Sequence, residues 1–175
     1  MFNHVLVAVD GSPTGNRGLK AAIGLASNQA AALTIMHVVD DMKSVSYIGD
    51  MGYVPAMYID TLLEDLRVNG GKILAKAEAA ARESGVAPKK LLVETKGGSV
   101  ADAILAQARK VRADVIVLGT HGRRGLRRVV LGSDAEAVLR ESRVPVMLVR
   151  TLARSASPAG AEARKSAAPK SPGRG

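Results

Sequence analysis

Residues 119–133, GTHGRRGLRRVVLGS, gather four glycines, four arginines and a closing serine in one short stretch. Glycine permits close approaches and backbone angles that a side chain forbids, so neighbouring N–H groups can converge on an anion. Gly119 and Gly122 are followed, nine residues later, by Gly132 and Ser133 at the start of a helical pattern. A helix N-terminus offers free N–H donors and partial positive charge, so the spacing describes a phosphate cradle to which Ser133 adds a hydroxyl. Arg123, Arg124, Arg127 and Arg128 can balance phosphate charge; one or two of them suffice for direct contact, and Arg123 is taken as the first. The same composition also suits a nucleic-acid patch or a solvated connector, so the surrounding elements must decide. Neither the P-loop pattern nor G-x-G-x-x-G occurs anywhere in the chain.

Those elements alternate. HVLVAVD (4–10), ALTIMHVVD (32–40), KKLLVET (89–95), DVIVLG (114–119) and VPVMLVR (144–150) are short apolar runs, rich in Val, Leu and Ile, that read as buried strands. Helical patterns separate them. The first starts at Ser12 as cap with Pro13 at its first position, and is weakened by Gly15, Gly18 and Gly24. Others run over about 59–84, 99–113 and 133–142; Ser99 with Asp102, and Ser133 with Glu136, have capping-box spacing. Strands that are apolar throughout and alternate with helices predict a single doubly wound open sheet of five parallel strands, helices on both faces, a Rossmann-like α/β domain over 1–150. Ligands of such sheets bind beyond the carboxyl ends of the strands, where strand order reverses. Asp10, His37–Asp40 and Gly119 all lie at such ends.

The chain has 175 residues, 47% of them hydrophobic and 2% aromatic, so aliphatic side chains must build its core. With no cysteine, disulfides and thiolate metal sites are excluded, and the three dispersed histidines, His4, His37 and His121, argue against a structural zinc site. His37 and His121 are read as packing or hydrogen-bonding residues. No leader or membrane-spanning run is evident, which predicts a cytoplasmic protein without a membrane partner. Of the net charge of +9, residues 151–175 carry +4, and this Ala, Ser, Pro and Gly-rich tail is expected to be disordered. Segment 41–58 holds all three tyrosines and is expected to cover the crevice or pad an interface between copies.

The glycine pattern, VLVAVDGS at 5–12, MHVVD at 36–40 and PVMLV at 145–149 together resemble the universal stress protein family over about residues 1–150. The likeness is to its ATP-binding branch, whose G-2x-G-9x-G-[ST] motif is met by Gly119, Gly122, Gly132 and Ser133. It implies an adenine nucleotide alpha hydrolase-like fold and a protein that binds ATP or ADP with Mg2+ or Mn2+ in stress response. It further implies nucleotide contacts from Asp10, from Val38 at the adenine and from Leu118 in the pocket wall, and a homodimer formed through strand 144–150. One departure is Asp134, where relatives often carry a small apolar residue: a carboxylate there stabilises the helix end by about 0.3–1 kcal/mol but competes with phosphate. No persuasive general base accompanies the cradle, so binding is expected to dominate, with at most slow ATP hydrolysis or self-phosphorylation. Two other classes compete. An adenylyl-transferring enzyme on a related fold should show an HxGH or SGGxDS signature near the first strand, where VDGSPTG stands instead. A polyanion or nucleic-acid binder would use the arginines and the basic tail, and salt should weaken it steeply.

Overall fold

A computed structural model describes residues 1–41, 56–120 and 131–150. Five strands, β1 (His4–Ala8), β2 (Ala32–Val39), β3 (Lys89–Glu94), β4 (Val115–Gly119) and β5 (Val146–Val149), form one parallel sheet in the order β3-β2-β1-β4-β5. Helices α1 (Pro13–Gln29), α2 (Ala56–Glu83), α3 (Val100–Lys110) and α4 (Ser133–Glu141) connect them in turn. Parallel crossovers share one hand, so the direction of travel across the sheet decides which face each helix covers. From β1 to β3 the chain moves one way, and α1 and α2 pack on one face. It then returns over β2 and β1 to β4 and β5, so α3 and α4 cover the other.

Alternation along each strand feeds both cores. Val5, Val7, Leu33, Ile35, Val115 and Val117 meet Leu19, Ala22 and Ile23 of α1 and Leu74 and Ala77 of α2. Leu6, Met36, Ile116 and Leu118 meet Ile104 and Leu105 of α3 and Val138 of α4. The strands are therefore apolar on both sides, as the uninterrupted runs predict.

Strand ends are shorter than the apolar runs by one or two residues. Pro145 has no N–H to give, and its carbonyl accepts from Ile116 N at 3.0 Å, just before β5 begins. At the same, amino-terminal end of the sheet, Asp114 ties β4 to β1: its carboxylate accepts the amides of Asn3 (2.7 Å) and His4 (3.1 Å). Burial would raise the carboxyl pKa, but the amides of Asn3, His4 and Asp114 itself, with the charge of His4, together outweigh it and hold the group below its ordinary value. The helix expected over 59–84 begins earlier, at Ala56, which shortens the preceding connection. Residues 42–55 of that connection, and the tail 151–175, lie outside the described residues.

Candidate functional site

Between β1 and β4 the chain's travel across the sheet reverses, so their carboxyl ends flank the crevice where such sheets take ligands. The β1 end runs through Asp10 into a tight turn. The Asp10 Oδ1 atom accepts the Ser12 amide at 2.9 Å, and Gly11 has φ +81°, a conformation that favours glycine. Ser12 then caps α1: its hydroxyl accepts the Gly15 amide at 3.0 Å, its carbonyl accepts Asn16 N at 2.9 Å, and Pro13 occupies the first helical position.

Glycines in α1 that looked like weaknesses of a helix prove to be its contacts. A Cβ on Gly15 would run into the Asp10 carboxylate. A Cβ on Gly119 would lie 2.8 Å from both Gly15 N and Thr14 C, and one on Gly18 3.4 Å from Gly119 N. The α1 backbone therefore rests directly on the end of β4, and Gly15 touches Asp10 on one side and Gly119 on the other. Gly24, with nothing within 4 Å of a Cβ, has no such reason.

Beyond Gly119, Thr120 N donates to Val149 O at 2.9 Å, and the Thr120 carbonyl accepts Gly132 N at 2.9 Å. That bond brings the far end of the glycine motif back to the end of β4, where Gly119 also meets Gly15 and, through it, Asp10. Gly122 and Arg123, with His121 and the other three arginines of the motif, lie outside the described residues.

The start of α4 differs from the sequence reading. Gly132, not Ser133, is the N-cap, with φ −63° and ψ 143°, and as a glycine it brings no side chain to cap the helix. Ser133 and Glu136 therefore form no capping box, because Ser133 already has helical geometry and is one residue too late to reach the donors. Ser99 and Asp102 do form one at the start of α3. The Gly132 backbone angles suit any residue, so conformation does not require a glycine there. The first turn of α4 also carries Asp134 and Glu136.

Val38 and Leu118 both project to the face covered by α3 and α4. Leu118 is buried in that core, whereas Val38 packs half-buried at its margin. His37 projects to the other face and hydrogen-bonds Val9 O through Nδ1 at 2.6 Å, a packing and hydrogen-bonding role as its sequence context suggests.

Two links escaped sequence reasoning because they join residues far apart in the chain. The Thr95 hydroxyl donates to Asp41 Oδ1, tying the exits of β2 and β3 together. Arg67 of α2 binds Glu94 at the end of β3 at 2.7 Å. The guanidinium keeps the Glu94 carboxyl below its usual range, and Glu94 and Glu64 raise the arginine's own pKa. Among the described residues no group of three or more His, Asp or Glu stands together as a metal cage. Nor is any described helix long and apolar enough to cross a membrane.

Comparison with known proteins agrees with this architecture. The profile of the universal stress protein family matches residues 1–150. The universal stress protein YxiE of Bacillus subtilis is 36% identical over 151 residues, covering 86% of this chain and 100% of that protein. A universal stress protein family structure from Burkholderia pseudomallei, 33% identical, superposes with a TM-score of 0.63 over 84% of this chain and 95% of its own. Another, a universal stress protein crystallised in complex with cAMP, is 26% identical with a TM-score of 0.58, over 86% of this chain and 98% of its own.

Proposed function

Since this chain belongs to the universal stress protein family, we propose that it acts by binding an adenine nucleotide, ATP in particular, in the crevice between β1 and β4. The observation that carries the reading is the difference between its helix ends. At α1, Pro13 has no N–H and Ser12 takes the Gly15 amide; at α3, the Ser99 hydroxyl takes the Asp102 amide in a capping box. At α4 the N-cap is Gly132, which has no side chain to offer, and it stands beside the end of β4 at the switch point. A helix start whose N-cap residue brings no side-chain acceptor suits a phosphate.

In this reading the amides following Gly132 and the Ser133 hydroxyl hold phosphate oxygens. Gly119 lets α1 close the floor, and Gly122 and Arg123 complete the cradle. Asp10, presented by its turn, accepts from the nucleoside, and Val38 and Leu118 form the apolar side toward the base. The relative crystallised with cAMP supports an adenine ligand. A divalent ion, Mg2+ or Mn2+, would be held by phosphate oxygens and water rather than by a protein cage, the habit of hard cations on nucleotides. Homodimer formation through β5 is part of the same proposal. Its outer edge leaves backbone groups for pairing, and Met147 of β5 and Leu139 of α4 are exposed apolar side chains.

The test is to denature protein purified without added nucleotide and chromatograph what it releases, beside the Gly132→Val variant. Valine suits the Gly132 backbone angles but occupies the space a phosphate needs. Stoichiometric ATP or ADP from the parent, and none from the folded variant, is the expected result. A parent that releases no nucleotide and binds no added Mg-ATP overturns the reading.

A further inference from the structure

We infer that His37 is a positioning residue: through Val9 it holds the turn that presents Asp10 to the crevice, an inference that rests on the nucleotide reading above. The β1 ladder ends at Ala8, paired with Met36, and Val9 N makes one more bond, to Met36 O at 2.9 Å. The Val9 carbonyl then takes the His37 side chain, Nδ1 to O 2.6 Å. A carbonyl only accepts, so Nδ1 carries the proton.

The bond joins a series. His37 secures Val9, the Asp10 carboxylate accepts the Ser12 amide, and Gly11 between them occupies the left-handed region. The Asp10 backbone is thus held from both sides. The ring has little freedom to swing away, because α2 lies against it at Gly70, where a Cβ would come 2.7 Å from His37 Cδ2. Val9 is 4% exposed, so water is poorly placed to replace the donor. An unsatisfied carbonyl at this point would let the turn relax and carry Asp10 out of register with Gly119 and Gly132.

Two substitutions of similar shape separate the donor from the packing. His37→Asn keeps an amide N–H near the position of Nδ1, whereas His37→Leu fills similar space with no donor. Titration calorimetry with Mg-ATP should give His37→Asn an affinity within about threefold of the parent, and His37→Leu one about tenfold weaker, the net worth of one hydrogen bond. Hydrogen exchange at the Ser12 amide should be faster in His37→Leu than in His37→Asn, with or without nucleotide. Leu74→Ala, a core truncation in α2, controls for lost stability and should leave the affinity of the folded protein unchanged.

Equal affinities and equal Ser12 exchange in the two His37 variants would overturn the inference, as would an equal affinity loss in Leu74→Ala. If the parent binds no Mg-ATP, the proposed function fails on its own account, and Ser12 exchange alone decides the role of His37.

Discussion

Replacing Gly119 by alanine adds one methyl group where the backbones of β4 and α1 meet. The new Cβ would stand 2.8 Å from Gly15 N and Thr14 C, against the 3.5–4.0 Å at which carbon atoms rest comfortably. Both obstructing atoms are backbone, so no side chain can turn aside, and α1 must move away by roughly 0.7–1 Å. That helix is fixed at its start by the Ser12 cap and along its length by Leu19, Ala22, Ile23 and Ala26 in the core. Forced overpacking of this kind costs about 1–3 kcal/mol. At about 2–4 °C per kcal/mol for a chain of this size, Gly119→Ala should melt roughly 3–10 °C below the parent. Circular dichroism melts and urea midpoints measure this. Gly24→Ala on the same helix is the control: no atom lies within 4 Å of its Cβ, and alanine's helix propensity should stabilise by about 0.5–1 kcal/mol. A Gly119→Ala protein melting within a degree of the parent would refute the direct helix–strand contact, and with it the claim that Gly119 is a packing residue as well as a motif residue.

The serines at the starts of α3 and α4 should behave differently. Ser99→Ala removes a capping box and should cost about 1 kcal/mol in urea unfolding, whereas Ser133→Ala, which removes no cap, should stay within about 0.5 kcal/mol while weakening Mg-ATP binding. Asp114→Asn should lower stability at pH 7 by about 1–2 kcal/mol, since its carboxylate receives two backbone amides. The sign follows from the depressed native pKa: the carboxylate's contribution is present above the unfolded value of about 3.9 and is lost as pH falls through the native one. Urea midpoints for parent and variant should therefore converge below about pH 4. A gap of constant size down to pH 2 would mean the charge of Asp114 contributes nothing.

Much of this protein was legible in local pattern. Uninterrupted apolar runs identify strands buried on both faces, and the alternating helices then leave few topologies, because parallel crossovers have one hand. Ser12 with Pro13, and Ser99 with Asp102, declare helix starts, since a cap reaches only two or three residues and depends on nothing distant. The spacing of Gly119, Gly122, Gly132 and Ser133 marked a strand exit leading to a helix entrance, and the described part of it stands there.

Other properties belong to the tertiary structure alone. Gly15 and Gly18 read as flaws in a helix until β4 is laid against it, and only then does Gly119 acquire a reason that needs no ligand. Ser133 and Glu136 match a capping box in spacing, but the helix begins one residue earlier than the box requires, with Gly132 as its N-cap and Gly132 N bonded to Thr120 O. Asp114 with Asn3, Thr95 with Asp41, and His37 with Val9 join residues 28 to 111 positions apart. Sequence determined which stretches form each element, because that choice depends on neighbours along the chain. Which elements meet, and therefore which polar groups pair across the fold, was decided only when the sheet brought distant strand ends together.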